Sequence, residues 1–219
     1  MTKTRHLLAE LYNKLWTAFG PQGWWPGESP FEIALGAILT QNTNWQNVAR
    51  VIAALKRDDL LTPQALAALP TADLAQRLRP VGYYNIKARR LQNFLAFLDQ
   101  HFENSMDLMA KETLAQLRPL LLAVPGIGPE TADSILLYAL HKPTFIVDAY
   151  TFRILGRHAL VAETCTYDEL RQFFMDHLPA DTALYQEFHA LLVHLGKTFC
   201  RPKPRCEACP LNNWPQPDA

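Results

Sequence analysis

The residues best suited to chemistry lie in the second half of the chain. Val124-Pro125-Gly126-Ile127-Gly128-Pro129-Glu130-Thr131-Ala132 is a Pro-Gly-apolar-Gly turn between two helical runs, and Val147-Asp148-Ala149-Tyr150 follows an apolar stretch. Gly126 and Gly128 permit positive φ and leave room for another backbone. Pro125 fixes the entry, and Pro129 suits the first position of the next helix. The exposed amides at that helix start suit a phosphate oxygen. Together with Asp148 they read as a phosphate grip with a carboxylate held near the sugar beneath it, the minimum equipment for cutting a base off DNA. Taken alone, Pro-Gly-x-Gly is a weak pattern, because tight helical hairpins use it with no ligand. Asp148 is also placed to N-cap a helix beginning at Ala149.

A second group is metal-like. Of four cysteines, Cys200, Cys206 and Cys209 crowd the C-terminus while Cys165 stands alone. No signal-peptide pattern opens the sequence and no apolar run approaches the roughly 18 residues of a membrane span. The expectation is a cytoplasmic protein with no membrane partner, in which such a cluster suggests a metal rather than disulfides. Charge is balanced, 21 basic against 21 acidic residues, so net charge carries no nucleic-acid signal. Its distribution does: Lys197, Arg201, Lys203 and Arg205 fall together with no acid among them. Arg50, Lys56 and Arg57, and Lys87, Arg89 and Arg90, form smaller groups that solvated helix faces would also explain.

The elements that must position these groups are helices. With 219 residues, 49% of them hydrophobic, the chain can bury a sizeable core. Leu7, Leu8, Leu11, Leu15, Trp16 and Phe19 mark a first helix ending at Gly20-Pro21. Ser29-Pro30-Phe31-Glu32 is an N-cap, a proline and a first-turn acid opening a helix through Leu39. Another runs from near Asn44 to Asp58, and short ones follow the capping residues Thr62 and Thr71. The pattern predicts further helices over 85–102, 112–123, 130–140, 149–157, 167–177 and 183–198. Only Thr144-Phe145-Ile146-Val147 could be extended. The expectation is an all-α protein of about ten helices with an irregular Pro-rich tail after Cys209.

From Trp24 to Cys209 the chain resembles the endonuclease III branch of the helix-hairpin-helix DNA glycosylases. The matching pieces are Leu39-Thr40-Gln41-Asn42-Thr43, Val81-Gly82-Tyr83-Tyr84-Asn85-Ile86-Lys87-Ala88, the turn from Val124 to Thr131, Ile146-Val147-Asp148-Ala149-Tyr150-Thr151-Phe152-Arg153, and His194-Leu195-Gly196-Lys197 running into the cysteines. The resemblance implies a two-lobed helical fold with a groove between the lobes: residues 25–135 as a central lobe carrying the hairpin, and 1–24 plus 136–219 as a second lobe with the cysteine loop. It implies a monomer acting on double-stranded DNA, with a damaged nucleotide flipped into the groove. Gln41 would stand near the gap left in the duplex or brace a helix end; Gly126, Gly128 and Thr131 would hold the strand, and Arg201, Lys203 and Arg205 would face the backbone.

Asp148 matches the aspartate shared by this superfamily, where a fixed carboxylate stabilises the oxocarbenium-like sugar and orients or deprotonates water. Members that also nick the strand carry a lysine where this chain has Glu130, and that amine forms a Schiff base with the sugar. Glutamate cannot. Unless another lysine such as Lys142 substitutes, the resemblance implies a monofunctional enzyme that leaves an abasic site. Trp24-Trp25-Pro26 precedes the helix leading to Gln41, and Trp45 follows it. A purine methylated at N3 or N7 is cationic, and stacking on indole would favour it by about 1–2 kcal/mol per desolvated contact. These aromatics, with no lysine at 130, are similar to the 3-methyladenine-excising branch, although ordinary core packing would use the same rings.

Cys200-x5-Cys206-x2-Cys209 resembles the family's [4Fe–4S] loop. Its first spacing is one residue short, and the fourth cysteine, expected near Trp214 and Pro215, is absent. Three thiolates could hold a cluster with another ligand on the fourth iron, bind zinc with a histidine such as His194, or hold nothing. Two further readings stay open: a bifunctional enzyme removing oxidised pyrimidines, and a non-catalytic protein that binds damaged DNA.

Overall fold

The structure, a computed structural model, describes residues 3–214. Pro215 and Pro217 of the expected irregular tail lie outside the described residues. Within them the chain forms twelve α-helices and no strand: α1 (Lys3–Phe19), α2 (Pro30–Thr40), α3 (Trp45–Arg57), α4 (Pro63–Ala67), α5 (Thr71–Arg77), α6 (Tyr84–Phe102), α7 (Met106–Lys111), α8 (Leu114–Ala123), α9 (Pro129–Ser134), α10 (Ala149–Arg157), α11 (Tyr167–His177) and α12 (Thr182–Thr198). The all-α class is as expected. Residues 144–147 make no strand. No described helix is long and apolar enough to cross a membrane.

Side-chain caps set most helix starts. Ser29 Oγ accepts from the Glu32 amide at 3.2 Å to open α2, and Asn44 Oδ1 accepts from Asn47 at 3.0 Å to open α3. Thr113 and Gln116 form a reciprocal capping box before α8, as do Thr166 and Glu169 before α11. Thr71 is not a cap. It is the first residue of α5, which Pro70 precedes without a side-chain bond, and its hydroxyl instead accepts from Gln92 Nε2 on α6 at 2.8 Å. The run expected as one helix over 130–140 is α9 followed by a buried π-helical turn, Ile135–Ala139.

The chain divides into two compact units, residues 25–142 and residues 1–24 with 143–219. Residues 136–142, expected with the second group, fall in the first, because the π turn packs on α2 and its side chains join that unit's core. The core of the 25–142 unit runs through Leu35, Ile38, Leu55, Leu91, Phe94, Leu98, Leu117, Leu121 and Ile135, all at or near full burial. In the other unit α12 packs against α1 and α10. Its core is aromatic: Phe145 stacks on Phe174 at 3.8 Å and meets Phe188 and Tyr185 edge-on.

Candidate functional site

In the 25–142 unit the glycine turn sits between α8 and α9. Gly126 has φ +97°, and a Cβ there would lie 2.3 Å from Arg90 Cγ, so both backbone conformation and close packing require glycine. Gly128 differs from expectation. Its φ of −89° is open to any residue, and a Cβ would meet nothing within 4 Å. It is the N-cap of α9, with Pro129 at the first helical position. Buried Ile127 anchors the turn from beneath.

Gln41, at the end of α2, ties this turn down. Its Nε2 donates to Gly126 O at 3.1 Å and to Thr131 Oγ1 at 2.8 Å, while its Oε1 accepts from Arg90. Asn93 Nδ2 adds a bond to Pro125 O at 2.8 Å. The structure thus brings Gln41, Gly126 and Thr131 together, with Arg90 and Asn93 as partners that spacing alone did not reveal. Lys87, grouped above with Arg89 and Arg90 as surface charge, is 1% exposed. Its Nζ donates to Leu39 O at 2.9 Å and Val81 O at 2.8 Å, and burial, helped by Arg90, lowers its pKa to about 8. Lys56 is likewise engaged, 3.0 Å from both Glu28 and Glu32. On the same unit Tyr83 is 69% exposed and left-handed, with φ 46°. A bulky residue held in that conformation is a strained position of the kind found at binding sites.

Trp25 and Trp45 meet edge-on at 5.4 Å, and the buried Tyr138 from the π turn completes the cluster 5.5 Å from Trp25. Tyr138 carries no sequence signal beyond its aromatic side chain. Gly36 lies beneath Trp25, where a Cβ would come within 3.1 Å of the indole nitrogen. Pro26 is exposed. Trp24 belongs to the other unit, where the Lys197 ammonium stands 5.3 Å from its ring centroid. One indole face there already holds a cation.

Asp148, 8% exposed, is the N-cap of α10. Its Oδ1 accepts from the Thr151 amide at 2.7 Å and the Thr151 hydroxyl at 2.8 Å. Its Oδ2 points to a residue with no signal in the sequence, His189 of α12, whose Nε2 lies 3.8 Å away. Burial lowers the His189 pKa, against the opposing pull of Asp148 and with a further push from Lys197. The helix cap therefore uses Oδ1, while Oδ2 faces His189. The backbone approach that allows this depends on Gly196, where a Cβ would fall 2.4 Å from the Tyr150 ring of α10.

The cysteine loop is tied to α10 by two arginines. Arg153 Nε donates to Cys200 O at 2.6 Å, and Arg157 donates to Arg201 O at 2.7 Å, Pro202 O at 3.1 Å and Cys200 Sγ at 3.3 Å. Arg201, Lys203 and Arg205 are exposed along it. The expected ligand set is not assembled. Among the described residues no three His, Cys, Asp or Glu side chains converge as metal ligands. Cys200 is buried against Arg157, Cys206 is exposed, and Cys209 Sγ accepts from the Leu211 amide at 3.4 Å. Burial raises the Cys209 thiol pKa. His194, the candidate zinc ligand, bonds Gln22 at 2.7 Å and stacks on Phe19. Trp214, where a fourth cysteine was expected, is buried with its ring against His158. Cys165 is half-buried, its thiol donating to Thr166 O at 3.6 Å.

Residues 35–180 match the family described as HhH-GPD superfamily base excision DNA repair protein. A protein of Methanocaldococcus jannaschii, provisionally named a DNA repair glycosylase, is 43% identical over 210 residues, 95% of each chain. Endonuclease III of Thermotoga maritima is 29% identical over 84% of this chain and 81% of its own. Among solved structures, the H. pylori 3-methyladenine DNA glycosylase bound to 1,N6-ethenoadenine is similar with a TM-score of 0.75 and 31% identity, over 90% of this chain and 98% of that one. A non-covalent endonuclease III–DNA complex gives 0.80 at 22% identity over 96% and 94%, a likeness of fold alone. With the family matched along most of its length and so similar a relative spanning nearly all of it, the chain belongs to the HhH-GPD superfamily of base excision DNA repair proteins, as a DNA glycosylase.

Proposed function

We propose that the protein hydrolyses the N-glycosidic bond of alkylated, 3-methyladenine-like purines in double-stranded DNA as a monomer, leaving an abasic site without cutting the strand. The observation that carries this reading is a buried Asp148 carboxylate whose Oδ1 is locked by Thr151 while its Oδ2, facing His189, takes no part in the helix cap. When the C1′–N bond breaks, the base takes the electron pair and positive charge spreads over C1′ and the ring oxygen. A fixed carboxylate stabilises that charge. Water then adds to C1′ and gives up a proton, for which the same carboxylate is an acceptor. An N3- or N7-methylated purine already carries positive charge and leaves neutral, so a site with one acid suffices.

The hairpin of Gly126, Gly128 and Thr131, braced by Gln41, is the proposed strand grip, and Arg201, Lys203 and Arg205 the proposed backbone contacts. Trp25 and Trp45, with Trp24 and Pro26 preceding α2, are the proposed base pocket. The monofunctional reading rests on Glu130, an exposed acid that cannot form a Schiff base. Lys142, the alternative amine, donates to Ala110 O at 2.7 Å and is thereby engaged elsewhere. The H. pylori relative, named for 3-methyladenine and bound to a purine adduct, supports the substrate class.

A bifunctional reading on oxidised pyrimidines draws on the endonuclease III relatives. Incubation with methylated duplex DNA and chromatography of the supernatant should yield free methylated purines. Borohydride should trap no covalent adduct on either methylated or thymine-glycol DNA. An adduct would establish lyase chemistry instead. Asp148→Asn should slow base release by about 100-fold or more with DNA affinity kept; an unaffected rate would remove Asp148 from the chemistry.

A further inference from the structure

The Asp148 carboxylate is buried in the unit made of residues 1–24 and 143–219, and its surroundings are few. Thr151 takes both bonds to Oδ1, and the capping box closes that side. Facing Oδ2 at 3.8 Å is the imidazole of His189, itself 6% exposed. It sits on α12 between Phe188 and Ala190, on a helix whose neighbours along the same face are core residues such as Tyr185 and Leu192. A histidine in such a row ordinarily serves packing alone. Here its ring ends beside the one carboxylate oxygen that the helix cap does not use.

We propose that His189 is a positioning residue for Asp148: neutral, its ring flanks Oδ2 and leaves the carboxylate's charge for the sugar; protonated, it pairs with Oδ2 and cancels that charge. This deepens the proposed function, since it rests on Asp148 being the carboxylate that acts. At 3.8 Å in a buried pocket, a proton on His189 turns a contact into an ion pair. The oxocarbenium-like state would then form beside a carboxylate already neutralised. The rate of base release should therefore fall in a low-pH limb as the imidazole takes up a proton.

Charged and titratable groups stand near the ring on the helices packed against α12 and along α12 itself. From α10, Asp148 favours the cation; along α12, Lys197 opposes it; burial opposes it most strongly. From α1, Tyr12 lies edge-on to Phe188 at 5.4 Å, and burial pushes its phenol further up from its ordinary value, so it stays uncharged in this range. The balance keeps His189 below its ordinary pKa and hence neutral at pH 7. Two substitutions move the limb in opposite directions. His189→Gln keeps a polar side chain of similar reach but cannot titrate. Lys197→Met removes the cation that holds the imidazolium off.

The test is the pH dependence of single-turnover base release by the full-length protein, on methylated duplex DNA and, in parallel, on thymine-glycol duplex. DNA affinity and melting temperature are measured for each variant. The wild type should lose rate at a pH below the ordinary imidazole range. In His189→Gln the limb should move down by about one pH unit or more, and in Lys197→Met it should move up. Affinity in His189→Gln should stay within about two-fold of the wild type. A limb unmoved in both variants overturns the assignment. Should His189→Gln fail to fold, the Lys197→Met limb decides, and one that stays put or moves down overturns it equally. Activity on the oxidised pyrimidine alone would sink the substrate reading while leaving His189 judged on that substrate. Full activity of Asp148→Asn, or release of neither base, would sink both.

Discussion

Gly126 and Gly128 sit two residues apart and serve different ends. Gly126 is needed by the fold: its φ is +97°, and a methyl group placed there would fall 2.3 Å from the Arg90 stem, so nothing larger has room. Gly126→Ala should cost about 1–3 kcal/mol of stability from the backbone alone, and Arg90 would have to release Gln41 to make room. Gly128 is extended with open space at its Cβ position, so Gly128→Ala should change stability by less than about 0.5 kcal/mol. If the turn grips the strand, the added methyl should instead crowd the bound phosphate, and duplex DNA affinity should weaken by about 1 kcal/mol, or roughly five-fold. Urea denaturation and fluorescence anisotropy separate the two outcomes. Equal loss of stability in both variants would mean that the turn is purely structural.

Among the helices, the end of α2 and the turn before α6 are joined by one buried ammonium. Lys87 Nζ reaches Leu39 O, in the last turn of α2, and Val81 O, at the end of the Arg79–Val81 turn. Lys87→Met should leave both carbonyls short of a donor, at about 1–3 kcal/mol. Stability should also depend on pH in a defined way. The folded protein holds this lysine at about 8 against an ordinary 10.5, so between those values the unfolded chain binds more protons and stability rises with pH. Below 8 the cost of burying the cation is fully present, and it is relieved as pH climbs. The stability gap between wild type and Lys87→Met should therefore widen from pH 8 to 10.5, read from urea midpoints. A constant gap would place the charge in solvent.

Capping chemistry explains how much of this is legible in the sequence. Ser29, Asn44, Thr62 and Asp148 announce their helices because a cap is a local event, complete within four residues. The glycine turn is legible for the same reason. Thr71 misleads because its hydroxyl finds a tertiary partner, Gln92, that no local rule predicts. Lys87, Tyr138 and His189 give no signal because their roles come from neighbours distant in the chain. The Cys200 region shows the reverse: its spacing suggests ligands, whereas Arg153 and Arg157 of α10 take up its carbonyls and one sulfur.

Across the whole chain, one unit is interrupted to build another. Residues 25–142 are continuous, and their core from Phe31 to Leu140 is drawn entirely from that stretch. A continuous segment of ordinary domain size with its own buried core has what it needs to fold alone. The other unit must join residues 1–24 to 143–219 across that insertion, and α1 buries Leu8, Leu11 and Leu15 in it. Expressed by itself, the 25–142 segment should be helical by circular dichroism and unfold in one cooperative urea transition. It retains the hairpin turn, Gln41 and the Trp25–Trp45 pair, so it should keep weak, salt-sensitive binding to duplex DNA. It lacks Asp148 and the basic cysteine loop, so it should release no base from any duplex. A fragment that bound no DNA at low salt would show that the strand contacts come from residues 143–219; one that excised bases would show that the acting carboxylate is not Asp148.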